Sequence, residues 1–150
     1  MVVAEKAVAT IWVSGDDFTA KGGPMSRWIA FLRAINVGGH TVKMDHLRQL
    51  FESRGDASVE TFIASGNVVF EAASKNAGML EKKIENRLRE ALDYEVATFI
   101  RTDAELADIA NYKPFQQPEL DAAAALNIAF LADTPDDPSR KKLMALRMEI

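Results

Sequence analysis

Nine residues in two short stretches have the types and spacing to hold a charged ligand. Arg33, Asn36, Gly38, Gly39, His40 and Lys43 fall in the first stretch, and Ser65, Gly66 and Asn67 in the second. Adjacent glycines let backbone amides approach an anion, Arg33 and Lys43 add positive charge, and a histidine titrates near neutrality. The chemistry on offer is capture of a phosphate, nucleotide or carboxylate, with His40 as acid or base if a reaction follows. A true phosphate loop is missing, since neither Gly-x-x-x-x-Gly-Lys-Ser/Thr nor Gly-x-Gly-x-x-Gly occurs. Ser65 lacks the Gly-x-Ser-x-Gly elbow, and no acid and histidine are spaced to activate it. Each stretch also has a plainer account. Gly38 or Gly39 would supply positive φ in a strand-to-helix turn with Asn36 bonded to local backbone, and Ser65-Gly66-Asn67 would be a hairpin turn.

The elements that must position these residues follow from hydrophobic spacing. Trp28 to Arg33 is an unbroken apolar run that reads as a buried strand. Met44, Leu47, Leu50 and Phe51 recur at helical spacing, and Gly55 stops that helix. Val59 to Ala64 and Val68 to Ala72 are strand-like, and the link between them is short enough only for an antiparallel hairpin. Leu80, Ile84 and Leu88 mark the stripe of a second helix, whose charged face from Glu81 to Glu90 reads as solvated and includes a Glu85–Arg89 pair. Val96 to Arg101 is a further strand. The order β-α-β-β-α-β predicts an α+β fold, a ferredoxin-like α-β plait with a four-stranded antiparallel sheet over residues 25–101.

Thr102 and Glu105 then form a capping box, with Leu106, Ile109 and Ala110 continuing a helix that stops before Pro114. Ala125 to Leu131 is a fifth strand, and Asp137-Pro138 opens a last helix carrying Leu143, Leu146 and Ile150. Residues 102–150 thus read as a linker helix and an incomplete second plait. Both faces of the first sheet carry large apolar groups, for example Trp28 on one and Phe31 on the other. Two helices cover one face, so the other calls for residues 102–150 or a homodimer partner.

Composition narrows the function. A formal charge of −4 argues against non-specific nucleic-acid binding. Phe31, Phe70 and Phe99 are base-stacking candidates, for which core packing is the better account. Without cysteine, and with only His40 and His46, the chain offers no metal-ligand pattern, and no cofactor is expected. The absence of cysteine suits a reducing cytoplasm, and no apolar run approaches the ~20 residues that span a bilayer. Residues 1–24 differ in character from the rest and read as an N-terminal extension outside the fold, with Met25 as the natural start. The alternative is an added strand at a sheet edge.

From Trp28 to about Leu146 the chain resembles a bacterial family known as domain of unknown function 1697. The resemblance rests on Leu32 to His40, Lys43-Met44, Leu47-Arg48, Thr61 to Phe70, Ile100-Arg101-Thr102, Glu105-Leu106, Pro114-Phe115 and the strand ending Phe130-Leu131-Ala132. It implies a duplication of ferredoxin-like plaits and no established activity. Ala34 stands where the family often has glycine, and members continue past the position of Ile150, so a C-terminally shortened chain is expected. The expected function is a non-catalytic domain that binds an anionic small molecule or a partner. The alternative is an enzyme acting on a phosphorylated or carboxylated small molecule.

Overall fold

A computed structural model describes residues 2–5, 8–14, 25–63, 65–123 and 125–145. In chain order its first elements are β1 (Val2–Glu5), β2 (Val8–Ser14), β3 (Ser26–Leu32), α1 (Met44–Glu52), β4 (Ala57–Phe62) and β5 (Asn67–Ala72). They are followed by α2 (Ala77–Leu92), β6 (Thr98–Thr102), α3 (Asp103–Asn111), α4 (Gln117–Ala122), β7 (Ala125–Leu131) and α5 (Asp137–Ala145). The chain divides into two compact units, Ala20–Asp108 and Met1–Thr19 with Ile109–Ile150.

In the first unit, four strands form an antiparallel sheet in the order β4-β5-β3-β6. Alternation along β3 buries Ser26, Trp28, Ala30 and Leu32 on one face. Trp28 lies opposite Phe70, and Ala30 sits between Val68 and Ile100. The helices supply the other half of this core, Leu47, Leu50 and Phe51 from α1 and Leu80, Ile84 and Leu88 from α2. The Phe51 and Phe70 rings meet edge to face at 5.3 Å. Each of these large side chains contributes about 1.5–3 kcal/mol by leaving water. Asn76 caps α2 by accepting from the Met79 amide at 2.9 Å, and Asp93 ends it in the left-handed conformation. On the other face Ile29, Phe31, Val69 and Phe99 are half-buried.

The charged face of α2 is a correction to the sequence reading. Glu81 Oε1 accepts from the Ile100 amide and Glu85 Oε1 from the Thr98 amide, each at 2.9 Å. β6 is an edge strand, and in an antiparallel ladder alternate amides point away from the neighbour. The two carboxylates take those outward amides. Glu85 is therefore occupied by backbone, and Arg89 donates instead to Asn86 at 3.2 Å.

Burial pushes the Glu81 carboxyl above its ordinary value, against the lowering pull of the Ile100 amide and Arg101. A carboxyl raised in the folded state contributes stability fully below its unfolded value, near 4.5, and loses it as pH rises through the folded value. Gln at this position keeps the acceptor oxygen and removes the charge. Urea unfolding should find Glu81→Gln no less stable than wild type, with a margin that grows from pH 4 to pH 7. A margin that is flat or shrinks over that range would contradict the burial argument.

In the second unit, β1 runs antiparallel to β2, and β2 runs parallel to β7 from the Val8–Ala125 pair to the Ser14–Leu131 pair. The fifth strand of the sequence reading thus pairs with a strand from the first 24 residues. Short α4 escaped the periodicity analysis; its signals are Pro118 in the first turn and Glu119, which accepts from the Gln116 amide at 2.7 Å. Asp136 caps α5 by accepting from the Ser139 amide at 2.8 Å, one residue ahead of the expected start. Leu146 and Ile150, assigned to that helix from sequence, lie outside the described residues. Among the described residues no helix is long and apolar enough to cross a membrane, and no cluster of three or more His, Cys, Asp or Glu is placed to hold a metal.

Candidate functional site

The first stretch leaves the end of β3. The Arg33 amide extends the ladder by donating to the Ala97 carbonyl at 2.9 Å, and the chain then turns through residues 33–36. Asn36 Oδ1 accepts from the Val42 amide at 2.6 Å, which closes the loop as its local-backbone reading anticipates. Ile35 is buried beneath this loop, and its carbonyl accepts from the Tyr94 hydroxyl at 2.8 Å. Desolvation raises the Tyr94 pKa. Gly38 and Gly39 have φ of 70° and 90°, with open space where a Cβ would stand, so conformation alone calls for glycine there. The His40 ring stacks on Tyr94 at 3.9 Å, and exposed Lys43 begins α1 without a side-chain cap.

The second stretch joins β4 to β5. The Gly66 amide donates to the Ile63 carbonyl at 3.2 Å, and Gly66 is buried with φ of 85°. A Cβ built on Gly66 would overlap Cγ2 of Ile35. The two stretches therefore pack directly on each other.

Their contact frames a depression of about 430 Å³ where β3 ends and β5 and β6 begin. Arg33, Asn36, Ser65 and Asn67 line it together with Phe31, Leu32, Ala34, Val37 and Phe99. Gly66 lies behind it against Ile35. Gly38, Gly39, His40 and Lys43 do not line it. A neighbouring depression of about 530 Å³ shares Arg33 and Ala34 and adds Glu85, Asn86, Arg89, Glu95, Val96 and Ala97. Among the described residues the Arg33 guanidinium has no ion pair or hydrogen bond, and neither the Ser65 hydroxyl nor the Asn67 amide group has a hydrogen-bond partner.

Two lining residues were misjudged from sequence. Phe31 and Phe99 face each other across β3 and β6, half-buried, and stand outside the core that Phe70 does join. Part of the signal was present, because two-residue alternation places Phe31 opposite in sense to Trp28, Ala30 and Leu32.

Ala34 has φ of 56°, which explains why glycine suits that position. A left-handed residue with a Cβ costs about 1–2 kcal/mol, and glycine loses about 0.5–1 kcal/mol more chain entropy. Thermal or urea unfolding should show Ala34→Gly more stable by up to about 1 kcal/mol. A destabilised variant would contradict the left-handed assignment.

These features define an α+β protein with a depression at one end of a four-stranded antiparallel sheet. The chain belongs to the family described as Protein of unknown function (DUF1697), which matches residues 25–149. It is similar in structure to the conserved bacterial protein SP0830 from Streptococcus pneumoniae, with a TM-score of 0.52 and 28% sequence identity. That match covers 60% of this chain and 51% of the other, so the chain spans about half the length of that relative. No curated protein matches the chain.

Proposed function

We propose that the chain is a non-catalytic binding protein that takes an anionic small molecule in the depression between Arg33 and Asn67. We read its first unit as a ferredoxin-like plait. The strand order β4-β5-β3-β6, with α1 and α2 as crossovers, supports that reading. The observation that carries the function is convergence: two stretches about thirty residues apart in sequence line one depression, and the guanidinium beside it is unpartnered among the described residues. A pocket with an apolar lining and a few convergent polar groups is the usual form of a small-ligand site. The enzymatic alternative needs His40 beside the captured anion, whereas His40 stacks on Tyr94 and lines neither depression.

A thermal-shift screen with nucleotides, sugar phosphates and carboxylates tests this reading. A ligand present at about a hundred times its Kd adds about 2.7 kcal/mol of stability. The shift should vanish in Arg33→Ala and survive in part in Arg33→Lys. Absence of a shift with every anion, or an undiminished shift in Arg33→Ala, would remove the proposal.

A further inference from the structure

We infer that the ligand carries a planar heteroaromatic ring as well as its charge, and that the depression is built for a nucleoside monophosphate, with its base on Phe99 and its phosphate at Arg33. The inference rests on the anion-binding reading above and adds the class of molecule. Phe99 is half-buried at the start of β6, directly opposite Phe31, and both line the depression. A half-buried aromatic ring lining a pocket suits stacking, which every nucleobase can supply. Arg33 follows directly on β3, and its amide donates to the Ala97 carbonyl at 2.9 Å, two residues before Phe99, so charge and ring line one depression from neighbouring chain segments.

The flank of the depression favours a base over a plain phenyl ring. The Asn67 amide group offers both a donor and an acceptor, and the Ser65 hydroxyl can do either, which matches the mixed polar edge of a nucleobase. Arg33 is the one cationic side chain among the described residues that line the depression, and the chain as a whole carries −4. One guanidinium suits one phosphate group, while a triphosphate would bring more negative charge than the lining balances. The volume, about 430 Å³, lies within the range of roughly 300–1,000 Å³ typical of small-molecule sites.

Isothermal titration of the full chain with the four ribonucleoside monophosphates, ribose 5-phosphate and inorganic phosphate tests the inference. At least one nucleoside monophosphate should bind tenfold or more tighter than ribose 5-phosphate. Phe99→Leu keeps an apolar side chain and removes the ring. It should weaken the nucleotide by roughly 5- to 150-fold, the loss expected for one base stack, and leave ribose 5-phosphate unchanged. Arg33→Ala should weaken both. Saturation-transfer NMR on the wild-type protein gives a readout free of any folding defect, with base protons saturated more strongly than ribose protons. Equal affinity for ribose 5-phosphate and every nucleotide, unchanged nucleotide affinity in Phe99→Leu, or preferential saturation of ribose would overturn the ring and leave the anion site standing. No binding of any phosphate compound would overturn the inference and leave the anion site to be decided by the carboxylates of the thermal-shift screen.

Discussion

Gly66→Ala should lower stability by about 2–5 kcal/mol in urea unfolding. Two independent costs add. At φ of 85° a Cβ meets the backbone clash of the left-handed region, about 1–2 kcal/mol. The same Cβ overlaps Cγ2 of Ile35, a residue 1% exposed, and forcing an atom into a filled core costs about 1–3 kcal/mol. Ile35 has little freedom to yield, because its carbonyl is held by the Tyr94 hydroxyl. The clash component is separable. Ile35→Ala removes the atom in the way, so the double variant should lose clearly less than the sum of the singles. Additive losses would mean that the two stretches do not touch, and the depression between them would have no shared wall.

Glu105→Ala should cost about 2–4 kcal/mol. Glu105 Oε2 accepts from the Thr102 amide at 2.6 Å and from the Thr102 hydroxyl at 2.9 Å, while the Glu105 amide donates back to Thr102 Oγ1 at 3.1 Å. Thr102 is 4% exposed and Glu105 7%, so water does not replace what is removed. A lost helix cap costs about 1 kcal/mol, and a buried donor left unpaired about 1–3 kcal/mol. Glu105→Gln retains an acceptor at the same reach and should lose about half as much. Unfolding curves for the pair decide the matter: equal losses would assign the effect to charge rather than to the cap.

Periodicity and capping were strong guides wherever the cause of structure is local. The stripes Leu47-Leu50-Phe51 and Leu80-Ile84-Leu88 are the buried faces of α1 and α2, and the Thr102–Glu105 box opens α3. The pairing of β2 with β7 was illegible, because strands more than a hundred residues apart carry no mutual signal in their own sequences. Glu81 and Glu85 were misread for a related reason: a carboxylate four residues from another looks the same in sequence whether it faces water or a strand edge. At the candidate site, residue types located both stretches but did not separate ligand-facing groups from turn-making ones. Asn36, Arg33, Ser65 and Asn67 line the depression, while Gly38 and Gly39 answer only to backbone conformation. Alternation placed Phe31 on the face opposite Trp28, but nothing in the strand sequences told whether Phe31 and Phe99 join a core or line a depression.

The two acids on α2 act as a fifth strand made of side chains. A foreign segment approaching that margin of the sheet meets a row in which the Thr98 and Ile100 donors are already taken, so cross-β growth from that margin finds no template at those positions. The guarding of that margin thus falls to two glutamates whose position on an outer helix gives them the look of decoration.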